Sequence, residues 1–447
     1  MVFQSLQANR YAPAFALPDK KKSDVTSIGI IGLGYVGLPL SILASTRGFR
    51  TVGFDIDDVK VAQLSRREAS FLNDDESVAF KRAQSITVTS DERALDGLDA
   101  YVISVPTPVH EDRTPDLEPL QSACEIVGRH LHEGALVVVE STVSPGVCED
   151  VALSILVDIS NLSPDTFDFA HCPERVNPGD PRWNVRTIPR VLGATSRAGL
   201  DHAGALYESL LDAPIIRMGS IKEAEAVKML ENAFRDINIA FVNELAISFD
   251  RAGIDLVNVI AGASTKPFGY MPFYPGCGVG GHCIPVDPYY LIRYGRENGF
   301  EHKFLIAARR VNAKMPAYAV KVLERAMRRK GKSLMGARVA LLGLTYKRGV
   351  PDTRESPALQ IRELLIRRGA VVQAYDPLVA GDAPRVEDAL SRAEAAIVAT
   401  DHAEFRALTP EHFRAHGVTL VVDGRNCLEK SLFYGSGVKY RGIGRGT

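Results

Sequence analysis

Apolar positions along the chain fall into short runs separated by polar and glycine-rich turns. The first run, Thr26-Ser-Ile-Gly-Ile-Ile31, leads straight into Gly32-Leu-Gly34-Tyr-Val-Gly37. A short apolar run bounded by turn residues predicts a buried strand. Leu38 to Arg47 then has helical composition, Gly48 stops it, and Thr51-Val-Gly-Phe-Asp55 reads as the next strand. Together they predict a βαβ unit. Further apolar runs at Ala100–Val105 and Leu136–Val139, each followed by turn or polar residues, extend the alternation. The packing this predicts is a parallel, doubly wound sheet.

From about Ile221 to Ala261 the period changes. Ala226, Leu230, Ala233, Ile237 and Phe241 recur at three- and four-residue steps with no strand-like run between them. The spacing predicts a long helix, suited either to a connector and dimer interface or to packing on its own domain. A second α/β pattern begins near Ala337. Arg338-Val-Ala-Leu-Leu-Gly343 reads as a strand entering a turn, Pro357 to Arg368 as a helix closed by Gly369, and Val371-Val-Gln-Ala-Tyr375 as a strand ending at Asp376-Pro377. Ala395–Ala399 and Thr419–Val422 add two more strands. The fold class expected is α/β, with two Rossmann-like doubly wound domains joined by a helical middle.

A length of 447 residues exceeds one ordinary core, so several domains are expected. We divide the chain into a flexible tail (1–25), a first nucleotide-fold domain (26–215), a central helical domain (216–325) and a second nucleotide-fold domain (326–447). Lys20-Lys21-Lys22 in the tail reads as a solvated face, and the first 22 residues carry no apolar segment of signal-peptide type. No stretch approaches the ~20 apolar residues of a membrane helix. A net charge of -1 argues against nucleic-acid binding, so an anionic ligand needs local basic groups. The six cysteines are too scattered for a disulfide scaffold, and none is paired as C-x2-C for zinc, so no metal is expected. A reducing, cytoplasmic setting is the expectation.

Gly32-x-Gly34-x-x-Gly37 is weak evidence alone. Here it follows a predicted strand, opens a predicted helix, and is followed by Asp55 at about the ~20-residue distance of a dinucleotide fold. The glycines permit a tight turn and close approach to a pyrophosphate, which the helix N-terminus attracts. Asp55 suits a ribose diol and repels a 2′-phosphate, which favours NAD over NADP. The alternative is a glycine-rich turn with an ordinary strand-end aspartate.

The segment Pro275-Gly-Cys-Gly-Val-Gly-Gly-His-Cys-Ile-Pro-Val-Asp-Pro288 carries two cysteines. Gly276, Gly278, Gly280 and Gly281 give a backbone that a phosphate or ribose can approach, and the prolines after Cys283 fix its exit. On these residues alone Cys283 is equally a nucleophile or a buried inert thiol, Cys277 is a rival, and His282 is more readily structural than a base.

With these segments placed, the sequence resembles the nucleotide-sugar 6-dehydrogenases, which act on UDP-glucose, GDP-mannose and UDP-N-acetylhexosamines. The resemblance runs from about Ile28 to Asn426. Its carriers are Gly32-Leu-Gly-Tyr-Val-Gly-Leu-Pro39, Val105-Pro-Thr-Pro108, Glu140-Ser-Thr142, Cys172-Pro-Glu-Arg-Val-Asn-Pro-Gly179, Lys228-x3-Asn232, Gly280-Gly-His-Cys-Ile-Pro-Val-Asp-Pro288 and Gly343-Leu-Thr-Tyr-Lys347. It implies oxidation of a sugar's primary alcohol to a carboxylate with two NAD+, through an aldehyde that the Cys283 thiolate captures as a thiohemiacetal and then a thioester. It makes Lys228 the acid/base or oxyanion partner of the alcohol step, with Asn232 one helical turn later. Asp287, Glu174 and Thr142 hold water or the lysine. Cofactor contacts are implied for Gly32, Gly34, Tyr35, Val36, Gly37, Asp55, Thr107, Thr142 and Arg354. Substrate contacts are implied for Glu174, Arg175, Val176, Lys228, Asn232, Arg235, Gly280, Tyr346 and Lys347. Arg425 is a further contact, with an Asp–Arg surface pair as its alternative reading.

Pro173-Glu-Arg-Val176, where UDP-glucose enzymes more often read Pro-Glu-Phe-Leu, and Arg235 resemble the N-acetylhexosamine branch. UDP-GlcNAc or UDP-ManNAc is therefore the expected substrate, made into a uronic acid for surface polysaccharide by a homodimer or larger homo-oligomer. UDP-glucose or GDP-mannose is the second reading, and an inactive NAD- and UDP-sugar-binding regulator the third. Ser264 to Tyr274 departs from the pattern, because it lacks the arginine that many relatives lend to a neighbouring subunit. Lys266 is not an equivalent fork.

Overall fold

The computed structural model describes residues 23–69, 71–83, 85–110, 112–176 and 182–446. The proposed tail up to residue 22, its lysine run, and Asn177–Gly179 of the Cys172 motif lie outside the described residues. The described chain falls into two units. One comprises the residues up to Thr107 with Asp116–Lys228, and the other Pro108–Pro115 with Met229–Thr447.

In the first unit the opening apolar run becomes β1 (Ser27–Ile31), buried at all five positions. It pairs in parallel with β2 (Arg50–Phe54) on one side, and β3 (Ile86–Thr89) continues that edge. On the other side it pairs with β4 (Ala100–Ile103), which leads to β5 (Leu136–Val139) and β6 (Asp168–His171). Strands covered on both faces must be apolar at successive positions, which is why they read as unbroken runs. β7 (Arg190–Ala194) then pairs with β6 antiparallel, and β8 (Ile215–Arg217) joins β7 in parallel. The sheet order is β3-β2-β1-β4-β5-β6-β7-β8, so the parallel sheet expected carries a reversed pair at one edge.

The predicted mid-chain helix is Ile221–Ala252, 32 residues long. It ends earlier than its periodicity suggests. Gly253 takes φ +72, and Asp255 caps a separate helix, Leu256–Ala263, by accepting from Val257 N at 3.1 Å. A left-handed glycine followed by an acidic cap ends one helix and starts another. The apolar stripe of the long helix is partly uncovered: Ala233 is buried, but Leu230 is 67% and Phe241 57% exposed. Packing on its own domain therefore does not account for these side chains.

The second unit also holds a sheet with the order β10-β9-β11-β12-β13, all parallel. Its strands are β9 (Arg338–Leu342), β10 (Val371–Tyr375), β11 (Ala395–Val398), β12 (Leu420–Asp423) and β13 (Lys439–Gly442). Helices Lys303–Arg328 and Pro357–Arg367 pack against one another beside it. Both nucleotide folds are therefore present. No helix of the described residues is long and apolar enough to cross a membrane.

Candidate active site

Helix Gly37–Thr46 begins without a side-chain cap; Leu38 N and Leu40 N donate to Gly34 O and Val36 O, and the partial positive charge of the helix start favours an anion there. Gly37 must be glycine, because a Cβ there would lie 1.9 Å from the Gly32 carbonyl oxygen. A Cβ on Gly34 would meet nothing within 4 Å, so the face above the turn is open. Asp55 is buried at the end of β2, with Oδ2 accepting from Leu33 N at 2.8 Å and Lys60 Nζ at 2.9 Å. This arrangement fits a dinucleotide. It also adds Lys60, which the sequence reading missed, five residues beyond Asp55 on the next helix. Tyr35 stacks beside Phe71 with ring centroids 4.9 Å apart. The Thr107 hydroxyl donates to Thr142 O at 2.7 Å, tying together the segments that follow β4 and β5.

Glu174, Arg175 and Val176 follow β6 and are half-buried. Lys228, 7% exposed, donates to the Glu174 carbonyl, and its Nζ lies 4.0 Å from Glu174 Oε2. Arg175 Nη1 donates to Pro189 O at 3.0 Å, so its guanidinium is partly spent within this unit. The segment rests on a buried group not anticipated from sequence. Arg190 Nη1 donates to Pro173 O at 3.4 Å and lies 3.5 Å from Glu140 Oε2, while Tyr207 OH donates to Glu140 Oε1 at 2.6 Å. Arg190 is separated from Glu140 by 50 residues of sequence, and no local signal joins them.

In the second unit the Asn232 amide donates to Asp287 Oδ2 at 2.5 Å, and both residues are buried. The Cys283 carbonyl accepts from Val286 N at 3.0 Å and Asp287 N at 2.8 Å, which places the cysteine at the entry to helix Asp287–Glu297. Cys283 is half-buried, whereas Cys277 is 1% exposed and its thiol is pushed up to about 12 by burial. Cys277 is thus a core residue, and the rivalry between the two resolves in favour of Cys283. Desolvation lowers the Arg235 pKa, and the charges of Cys283, Tyr346 and Glu231 oppose it. Arg235 is therefore within electrostatic reach of the thiol.

The glycine-rich loop packs too closely for side chains. At Gly281, φ is +88 and a Cβ would lie 2.8 Å from the Tyr346 ring, and a Cβ on Gly280 would lie 2.8 Å from Tyr346 Cβ and Glu355 O. The loop hangs on polar groups deep in the unit. Gly276 N donates to Asn243 Oδ1 at 2.9 Å, Asn243 to Asn312 Oδ1 at 2.9 Å, and Asn312 to Asp236 Oδ1 at 2.8 Å. Lys347 is half-buried beside Tyr346. Arg354 forms a forked pair with Asp352, with Nη2 to Oδ2 at 2.6 Å, and its carbonyl accepts from Gly281 N at 3.0 Å. Arg425 Nε lies 3.7 Å from Asp401 Oδ1, so an aspartate partner is indeed present.

A dinucleotide turn, a buried lysine against a glutamate backbone, and a half-exposed cysteine on a glycine loop define an NAD-linked oxidoreductase. Residues 26–211, 222–314 and 340–430 match the UDP-glucose/GDP-mannose dehydrogenase family in its NAD binding, central and UDP binding domains. The chain belongs to that family: it is an NAD-dependent nucleotide-sugar dehydrogenase that takes a UDP-sugar substrate. It is 38% identical to the UDP-N-acetyl-D-glucosamine 6-dehydrogenase of Pseudomonas aeruginosa over 400 residues, covering 87% of this chain and 94% of that one. It is 35% identical to the UDP-N-acetyl-D-mannosamine dehydrogenase of Pyrococcus horikoshii over 424 residues, covering 94% and 99%. The solved structure of UDP-D-ManNAc dehydrogenase from Pyrococcus horikoshii superposes with a TM-score of 0.88, at 34% identity and 94% and 99% coverage. A UDP-glucose dehydrogenase from Pyrobaculum islandicum gives 0.84 at 30% identity and 94% and 98% coverage. The fold alone therefore does not separate the sugars.

Proposed function

We propose that the protein oxidises C6 of a UDP-N-acetylhexosamine, UDP-GlcNAc or UDP-ManNAc, to the uronic acid for polysaccharide synthesis. The observation that carries this is Arg175 in Pro173-Glu-Arg-Val176 together with Arg235, whose charge interacts with those of Cys283 and Tyr346. The names of the relatives at 35% and 38% identity support the same branch. When bound, NAD+ supplies the hydride acceptor for both oxidations. Residues 26–215 hold it through Gly32, Gly34, Tyr35, Val36, Gly37, Asp55, Thr107 and Thr142, with Arg354 as a further contact. Lys228 takes the hydroxyl proton and, with Asn232, stabilises the developing oxyanion. The Cys283 thiolate, favoured by the guanidinium of Arg235, adds to the aldehyde carbon. Loss of hydride leaves a thioester, and water oriented by Asp287 or Glu174 cleaves it to the carboxylate and free thiol. Residues 216–325 carry this chemistry, and residues 326–447 hold the nucleotide through Tyr346, Lys347 and Arg425. Val176 and Gly280 line the sugar.

Incubation with NAD+ and each nucleotide-sugar is the test. NADH is expected with UDP-GlcNAc or UDP-ManNAc, and turnover of UDP-glucose or GDP-mannose alone would reject the N-acetyl reading. We also propose a homodimer or larger assembly, since Leu230, Phe234 and Phe241 present an apolar face on the long helix, and a cytoplasmic setting, since the six cysteines form no disulfide. Sedimentation should give at least twice the 48.6 kDa chain mass. Phe241→Glu should shift it toward the single chain, and a monomeric parent would reject the assembly.

A further inference from the structure

The two nucleotide folds begin alike. Gly32 has φ +94 and Gly343 φ +99, and each N–H donates at 2.8 Å to the last residue of the next strand, Phe54 O and Tyr375 O. Leu33 N reaches Asp55 Oδ2 at 2.8 Å, and Leu344 N reaches Asp376 Oδ2 at 2.7 Å. One residue later they part. The first fold has the open Gly34, and the second has Thr345, 1% exposed. Thr345 turns the second aspartate inward, since its N–H and hydroxyl lie 2.9 and 3.0 Å from Asp376 Oδ2. At the position of the open Gly34 the second fold thus carries a buried, hydrogen-bonded side chain.

His402, 3% exposed, joins the buried pair of Thr345 and Asp376. Its Nε2 lies 2.8 Å from Thr345 Oγ1 and 3.1 Å from Asp376 Oδ2, and its Nδ1 accepts from Gly349 N at 3.4 Å. Since Nδ1 accepts, the neutral ring carries its proton on Nε2, an assignment set by these bonds. One imidazole therefore holds both ends of the loop Thr345–Gly349. The flanking residues of the same segment hold it too, because Thr400 Oγ1 donates to Thr345 O at 2.6 Å and Arg348 Nη1 to Asp401 Oδ2 at 3.4 Å. The loop carries Tyr346, whose ring covers Gly281, and Lys347.

We propose that His402 is a positioning residue for the UDP end of the substrate, fixing the Thr345–Gly349 loop from beneath. The proposal rests on Tyr346 and Lys347 as nucleotide contacts. A side chain held by buried hydrogen bonds confers affinity by removing alternative loop geometries before binding. UDP alone, measured by calorimetry on the full-length protein without NAD+, is the probe. Binding of UDP does not depend on which sugar is oxidised, and failure of the unaltered protein to bind it would tell instead against the nucleotide contacts. His402→Ala and His402→Gln are expected to weaken UDP about tenfold, a typical cost of losing buried hydrogen bonds, with NAD+ affinity unchanged. The glutamine variant keeps a donor toward Asp376 but loses the link to Gly349, so it decides the matter if the alanine variant does not fold. UDP affinity unchanged in the folded variants overturns the proposal. So does a parallel loss of UDP and NAD+ affinity, which marks a general structural defect.

Discussion

Replacing Cys283 with serine is expected to lower net formation of the acid by about a thousandfold or more, with NAD+ binding unchanged. A serine hydroxyl at neutral pH is a weak nucleophile without a dedicated base, and an arginine such as Arg235 favours a thiolate far more readily than an alkoxide. The aldehyde should accumulate or return to alcohol, so product analysis should find little uronate beyond background. Among the other cysteines, Cys124, Cys148, Cys172 and Cys277 are buried, and burial raises all four thiols. Burial raises Cys427 as well, and the Asp423 carboxylate adds to it. None of them is a substitute nucleophile. Cys277→Ser is the control. Its sulfur packs where a Cβ on Gly424 would come within 2.2 Å, so this change should cost stability and leave the product distribution alone. Uronate formation by Cys283→Ser at the parent rate would refute a thioester route.

The reading of the fold succeeded where burial on both faces writes itself into the residues. β5 and β11 are unbroken apolar runs, and β1 and β9 become so after one polar residue, as expected of strands buried on both faces. β6 does not look like a strand: Asp168-Phe-Ala-His171 ends on a fully buried histidine, and its antiparallel neighbour shares only two register pairs with it. Helix Lys303–Arg328 was hidden by Pro316, a residue that ordinarily breaks a helix but here lies buried within it. The candidate site divides in the same way. Gly32 to Asp55 is a local pattern, so its spacing is visible along the chain. Lys60 lies only five residues from Asp55, but Arg190, Asn243 and His402 meet partners as many as 69 residues away in sequence, and only folding brings them together. Local sequence was likewise unable to rank Cys283 above Cys277. Burial does so, because it is a property of the packed loop rather than of the two glycine-flanked thiols.

Lys228→Ala should impair the first oxidation, where Cys283→Ser impairs the second. Lys228 is buried on the long helix, held by the Glu174 carbonyl and 4.0 Å from the Glu174 carboxylate. In the proposed mechanism this group acts on the proton and oxyanion of the first step. Its loss is expected to slow alcohol oxidation by about a thousandfold, within the range for a positioned acid–base group joined to an oxyanion donor. Supplying the 6-aldehyde directly bypasses that step, since capture by Cys283 needs no hydroxyl proton removed. The alanine variant should then oxidise aldehyde within about tenfold of the parent, whereas Cys283→Ser should form no acid from either aldehyde or alcohol. Equal losses on both substrates would show that Lys228 serves the thioester steps or the fold instead. Lys228→Arg divides what remains. Arginine keeps the charge but does not give up a proton at physiological pH, so a variant that stays inactive on alcohol assigns Lys228 as the base. Recovery to within about tenfold would assign the lysine's contribution to its charge, with proton removal falling to water beside Glu174 or Asp287.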